Sequence, residues 1–195
     1  QSSYGREAAG VFAAAVAEAM RPGASVTSVV DAAVDVAHDG TRQAIEAVAD
    51  AASSVTDWRG SLATLRAAVE PFDTVGPHYR SPAADARRPS RTKSIEELPV
   101  ALGMMLVARG DYTESVLGAI NYGRDSDSIA TMAGAITGAL GGLAVVRDEW
   151  VDDVATASRT DIVTPGLTMA DVATEIWKRD AERQRDRADA RSSYR

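Results

Sequence analysis

Apolar residues recur at helical spacing along almost the whole chain, and this periodicity restricts the fold more than any other feature. Within residues 6–20, Val11, Phe12 and Val16 share one side of a predicted helix, which Pro22 ends. No run of residues alternates apolar and polar side chains with a period of two. We therefore predict a compact, all-α, multi-helix domain, with further helices over residues 26–37, 42–55, 59–69, 98–108, 115–120, 129–146, 148–158 and 171–191.

The composition is typical of a soluble globular domain with an aliphatic core. The chain has 195 residues, of which 45% are apolar and only 5% aromatic, so Ala, Val, Leu and Ile must build the core. Its net charge of -7 argues against dedicated nucleic-acid binding and against adsorption to anionic membranes. The absence of cysteine excludes disulfides, thiolate metal ligands and cysteine nucleophiles. We expect core or half-buried anchors at Trp58, Trp150 and Trp177.

The start of the chain and its long uncharged stretch provide evidence about cellular location and membrane association. Residues 1–6 show no signal-peptide pattern and no initiator methionine, so we expect a C-terminal portion of a longer cytoplasmic polypeptide. Residues 129–146 form an 18-residue stretch without charge, near the lower limit for a membrane span. Four glycines dilute this stretch, and acidic groups precede it. We predict a buried core helix there and no membrane segment.

A change in composition after residue 70 suggests how the chain is organised. Four of the seven prolines fall within residues 71–93, together with several arginines, and no apolar period survives there. We predict a long Pro/Arg-rich loop over residues 71–93. Residues 1–177 are then the C-terminal part of one helical domain, and residues 178–195 are a charged helix end or tail.

An acidic turn directly precedes the uncharged stretch. Asp125, Asp127 and the hydroxyl of Ser128 lie within four residues. Two carboxylates and a hydroxyl are hard oxygen ligands, which suit Mg²⁺ or Mn²⁺ rather than zinc. The alternative is that both aspartates only cap a helix, because carboxylates there bind free N–H groups and suit the helix dipole. One aspartate satisfies a cap, so the pattern favours metal binding while capping stays open.

Other metal motifs that contain Asp-x-Asp fit this turn poorly. A calcium EF-hand needs an oxygen ligand, a glycine and a glutamate where this chain has Ile129, Ala130 and Ile136. The Asp-x-Asp motifs of phosphotransferases and nucleotide-sugar transferases belong to sheet-containing folds, whereas this chain shows no strand pattern. These motifs therefore do not describe the turn, and both another kind of oxygen-ligand site and simple capping stay open.

A family resemblance covers this region. Residues 123–139, Gly-Arg-Asp-Ser-Asp-Ser-Ile-Ala-Thr-Met-Ala-Gly-Ala-Ile-Thr-Gly-Ala, resemble the C-terminal signature of the ADP-ribosylglycohydrolase family. The resemblance extends to residues 94–99 and 110–112, and it includes the helix predicted over residues 5–20. It implies an all-helical domain that holds two Mg²⁺ (or Mn²⁺) ions in a cleft.

The resemblance also implies roles for individual residues. Asp125 and Asp127 become metal ligands that also serve catalysis through the metals, and Ser128 replaces a ligating threonine. Around them, the substrate side of the cleft is formed by Asn121, Gly123 and Arg124. The family often has glycine at position 124, so the arginine either narrows the cleft or places a cation beside a substrate phosphate.

The implied reaction is hydrolysis of the C1″ glycosidic bond between ADP-ribose and an acceptor. The family's N-terminal motifs, a Gly-Asp-Ala helix start and a Thr-Asp-Asp-Thr segment, do not occur in this chain. We therefore expect the N-terminal half of the same domain to complete the metal site, and the isolated chain to be inactive. The alternative is a catalytically reduced relative that binds ADP-ribose or a related nucleotide, or cleaves another N- or O-glycosidic bond.

Overall fold

The fold is helical throughout the part of the chain that can be described. The computed structural model describes residues 3–72 and 94–193, and within these ranges it contains no strand, which confirms the all-α prediction. The helices are α1 (Ser3–Ala19), α2 (Val26–Val36), α3 (Asp39–Ser53), α4 (Trp58–Val69), α5 (Ser94–Val107), α6 (Tyr112–Tyr122), α7 (Ser126–Gly141), α8 (Asp148–Ser158) and α9 (Thr164–Ser192).

The predicted Pro/Arg-rich loop falls almost entirely outside the described residues. Its first two positions belong to a 3-10 turn, Glu70–Phe72, that directly follows α4. The rest of the prediction, residues 73–93, concerns a segment that the structure does not describe. The helix after it begins at Ser94, before the start that we predict at residue 98.

The chain forms two compact units. Gln1–Val146 contains α1 to α7, and Arg147–Arg195 contains α8 and α9. The proposed extent of the hydrolase domain, residues 1–177 with a tail over 178–195, stays a prediction. Residues 178–192 lie within α9.

Helix α5 forms the centre of the first unit. It is apolar on all sides, and 11 of its 14 residues are buried. Helices α1, α3, α4, α6 and α7 all contact it. Gly103 lets α3 approach closely, since a Cβ atom there would lie 2.5 Å from Cγ1 of Val48. A side chain that projects from α5 therefore points into protein and can support a site from beneath.

Helix α7 packs closely on α6 but is not buried on every side. A Cβ atom at Gly134 would lie 3.3 Å from Cγ2 of Val116, so glycine permits the approach, as the sequence predicts. Only one stripe of α7 is buried, and Gly142, with a φ of 73°, ends the helix before residue 146. The predicted core helix over residues 129–146 therefore contributes to the core along one stripe, but it ends earlier than predicted, and residues 142–145 are exposed. Among the described residues, no helix is long and apolar enough to cross a membrane.

The second unit carries apolar side chains at its surface. None of its described residues is buried. Trp177 on α9 is 70% exposed, so the prediction of a core or half-buried anchor was wrong there. The reason is that α9 is polar along most of its length and buries none of its own residues. Trp58 is buried and Trp150 is half-buried, as predicted.

Candidate metal site

The acidic turn, residues 125–128, follows a tight reversal between α6 and α7. Gly123 ends α6 with a φ of 79°, and its N–H donates to the carbonyl of Ile120 at 3.4 Å. Arg124 also has a positive φ, 55°. Glycine adopts this left-handed region freely, whereas another residue does so at a cost of roughly 1–2 kcal/mol. The conformation of Arg124 therefore needs support from the surrounding structure.

The first turn of α7 lacks the usual side-chain cap. Asp125 occupies the N-cap position of α7, yet its carboxylate makes no capping hydrogen bond to the helix. The hydroxyl of Ser128 instead donates to Oδ1 of Asp125 at 3.3 Å. Asp127 lies in the first turn of α7 and is exposed, while Asp125 and Ser128 are half-buried. This arrangement favours the ligand interpretation over the capping interpretation.

Asn121 lies two residues before the reversal, close to the acidic turn in sequence. Its side chain is exposed, and Nδ2 donates to the carbonyl of Leu117 at 2.8 Å within α6. The substrate-binding role of Asn121 stays a prediction, as does that of Gly123. For Gly123 the structure supplies a backbone reason for glycine, the positive φ.

A buried carboxylate supports the reversal from below. Glu96, in the first turn of α5, is only 2% exposed. Its Oε1 accepts hydrogen bonds from Nη1 of Arg66 at 2.7 Å and from the hydroxyl of Tyr122 at 2.9 Å. Its Oε2 accepts from Nε of Arg124 at 2.8 Å. We call these four residues the Glu96 cluster. They join α4, α5, the end of α6 and the reversal before α7.

Tyr122 remains a neutral donor within this cluster. Burial raises the pKa of its phenol well above the ordinary value, and the negative charge of Glu96 raises the pKa further. The hydrogen bond to Glu96 acts in the same direction, whereas Arg66 lowers the pKa by a smaller amount. Because the phenol keeps its proton, the hydrogen bond to Oε1 is retained across the neutral pH range.

The guanidinium of Arg124 points into this cluster. Its side chain is 14% exposed and forms an ion pair with Oε2 of Glu96. Its role beside a substrate phosphate stays a prediction.

The sequence analysis did not single out Glu96, Arg66 or Tyr122. One signal for Glu96 was present, because it is an acidic residue at the start of a nearly continuous apolar helix.

A second polar cluster lies at the other end of α6. Oε2 of Glu114 accepts a hydrogen bond from Nε1 of Trp58 at 2.9 Å and lies 3.6 Å from Nη1 of Arg59. The guanidinium of Arg59 covers the indole of Trp58 at 4.3 Å from the ring centroid. We call these three residues the Glu114 cluster. They line an open cavity of about 350 Å³ together with Asp57 and Arg109.

Comparison with known families identifies the fold and the chemistry at a general level. A sequence model of the ADP-ribosylglycohydrolase family matches residues 1–186. The chain belongs to the ADP-ribosylglycohydrolase family. Searches of curated proteins and of solved structures found no significant match. The match covers both clusters and the acidic turn. It confirms the resemblance and makes the chain, at the level of the family, a glycosidase of ADP-ribosyl linkages.

The donor atoms of this ADP-ribosylglycohydrolase fit part of a magnesium shell. Mg²⁺ prefers oxygen ligands and usually binds proteins through one or two carboxylates, keeping several waters. Asp125 and Asp127 supply two carboxylates, and Ser128 adds a hydroxyl. Within residues 3–72 and 94–193, no group of three or more Asp, Glu or His side chains is placed to hold a metal ion.

Proposed function

We propose that this chain supplies one side of a binuclear Mg²⁺ (or Mn²⁺) centre that hydrolyses the C1″ glycosidic bond of an ADP-ribosylated substrate. The N-terminal half of the same domain would supply the remaining ligands. One observation carries the proposal: Asp125 stands at the start of α7 without capping it, beside the hydroxyl of Ser128 and the exposed carboxylate of Asp127. A cytoplasmic location stays a prediction.

The side chains of the acidic turn would have different chemical roles. When Ser128 donates its proton to Asp125, both lone pairs of its Oγ are left for a cation. The bound metal ions would supply the Lewis acid that lowers the pKa of the attacking water. Carboxylates beside the sugar would stabilise the positive charge that develops there, with Asp125 and Asp127 acting mainly through the metal ions that they hold. In the overall reaction, the bond from C1″ to the acceptor breaks, the water oxygen bonds to C1″, and the acceptor leaves with a proton.

Replacement of Asp127 tests the proposal. In the polypeptide that carries the N-terminal half, we expect Asp127→Ala to lower metal-dependent release of ADP-ribose by more than about 100-fold. The reason is that even partners outside the ligand set cost about 10–100-fold in metal proteins. Asp148→Ala is the control, because Asp148 is likewise an exposed aspartate in the first turn of a helix and lies outside the acidic turn. Equal rates for Asp127→Ala and the unsubstituted protein would refute the proposal.

A second candidate is a relative that binds ADP-ribose or a related nucleotide without turnover, or that cleaves another N- or O-glycosidic bond. The absence of a three-ligand acidic cluster among the described residues favours it. Titration of the completed protein with Mg²⁺ and ADP-ribose, followed by assays on a panel of ADP-ribosylated substrates, separates the two candidates. Binding without turnover of any panel member supports the second.

A further inference from the structure

The Glu96 cluster holds the backbone on both sides of Gly123, the glycine at which α6 ends. Tyr122 immediately precedes Gly123 and binds Oε1 of Glu96, while Arg124 immediately follows Gly123 and binds Oε2. A single buried carboxylate therefore spans the reversal that leads into Asp125. Arg66 binds Oε1 from α4 and so joins the carboxylate to a third part of the core.

This arrangement explains how Arg124 keeps an unfavourable backbone conformation. Its φ of 55° lies in the left-handed region, which is unfavourable for any residue with a Cβ atom. A hydrogen bond between charged, largely buried groups is among the stronger contacts in a protein and opposes a change of that conformation. The bond from Nε of Arg124 to Glu96 thus fixes the backbone at the residue directly before the acidic turn.

We propose that Glu96 is a positioning residue for the metal site, acting through Arg124 and Tyr122. It holds the reversal in one conformation and so sets the direction in which Asp125 leaves it. Arg124 is accordingly a structural cation bound to α5, and not a cation for the substrate diphosphate. The metal readout of this inference rests on the proposed function, whereas the effect on the reversal itself does not.

The first test measures the reversal without any metal. We expect Glu96→Gln and Arg124→Lys to speed amide hydrogen exchange over residues 123–128 by about tenfold or more, given the free energy of a charged hydrogen bond. Glu114→Gln is the matched control, because it alters the carboxylate at the other end of α6 and should leave this segment unchanged. If Glu96→Gln loses helix content by circular dichroism, Arg124→Lys carries the test, since it leaves Glu96 paired with Arg66.

The second test separates positioning from substrate contact in the polypeptide with the N-terminal half. We expect both variants to raise the Kd for Mn²⁺, measured by electron paramagnetic resonance, by about 10–100-fold. At saturating Mn²⁺, the KM for an ADP-ribosylated substrate should stay unchanged. A raised KM with an unchanged Kd for Mn²⁺ would show that Arg124 contacts the substrate and would overturn the inference.

Failure of this inference can be told apart from failure of the proposed function. Unchanged hydrogen exchange over residues 123–128 in both variants overturns the positioning role of Glu96, whatever the metal results. Faster exchange in a protein that never binds Mn²⁺ supports the role of Glu96 in holding the reversal. The same result removes the metal centre that the proposed function requires.

Discussion

Two similar polar clusters lie at the two ends of α6 in different surroundings. At each end a glutamate accepts a hydrogen bond from an aromatic side chain and lies beside an arginine. Glu96 at the C-terminal end is almost completely buried, whereas the side chain of Glu114 at the N-terminal end is 45% exposed. About 12 Å of helix separates Glu114 from Tyr122. Burial is therefore the main difference between the Glu96 cluster and the Glu114 cluster.

Because of this difference, two ion pairs with similar distances can stabilise the protein by very different amounts. An exposed pair gains little, because water screens the charges and solvates each of them well when they separate. A buried pair has lost that solvation, so removal of one partner leaves the other charge poorly compensated. The Glu96 cluster is thus costly to disrupt, and it lies beneath the acidic turn. The Glu114 cluster should tolerate change.

The largest predicted effect comes from removing the buried carboxylate. Glu96→Ala should lower the free energy of unfolding by about 3–5 kcal/mol, because it leaves two arginines and a tyrosine without their shared acceptor. Urea denaturation followed by circular dichroism measures this value. Glu114→Ala, measured in the same way, should lose less than about 1 kcal/mol. Equal losses would mean that burial does not distinguish the two clusters.

A smaller, pH-dependent effect is predicted for Tyr122. Its pKa is raised in the folded protein, so the folded state holds this proton at pH values where the unfolded state has lost it. The resulting stability is fully present below about pH 10, the pKa of an unperturbed tyrosine, and is lost as pH rises further. Over that range the free energy of unfolding should fall by up to about 1.4 kcal/mol per pH unit.

Tyr122→Phe removes this dependence. Urea denaturation at pH 8, 9.5 and 10.5 should show a smaller decline for Tyr122→Phe than for the unsubstituted protein. The other tyrosines contribute equally to both proteins, so the difference belongs to Tyr122. Parallel declines would mean that this phenol is not held by burial and by Glu96.

Much of the fold could be predicted because apolar residues at helical spacing indicate helices, and Pro, Gly and capping residues mark their ends. Helix α8 has the predicted bounds, and α2 and α4 differ from theirs by one residue each. The length of α7 was overestimated, since an uncharged sequence does not reveal that Gly142 adopts a positive φ. The exposure of Trp177 was also missed. A large apolar side chain gains free energy when it is buried, but its presence in the sequence does not show that another element packs against it.

The acidic turn stands out in the sequence as a candidate site, whereas the residues that support it do not. Asp125, Asp127 and Ser128 lie within four residues, so their spacing alone indicates a shared role. Arg66 and Glu96 are 30 positions apart, and Arg124 lies another 28 beyond Glu96. Only the packing of α4, α5 and α6 brings them together. No local pattern records which arginine a buried glutamate will meet.

The smallest predicted effect concerns Glu114 and sharpens the comparison through salt. Glu114→Gln keeps an oxygen that can accept from Trp58, and Arg59 retains Asp57 at 3.3 Å, so only a charge in an exposed cluster is lost. The free energy of unfolding in urea at low salt should fall by less than about 1 kcal/mol. In 1 M NaCl, where the Debye length is about 3 Å, the variant and the unsubstituted protein should converge. The deficit of Glu96→Gln should persist in the same salt, because buried charges are screened much less. If the free energies of unfolding of both variants reached that of the unsubstituted protein at high salt, salt would screen the two clusters equally. That result would contradict the difference that burial predicts.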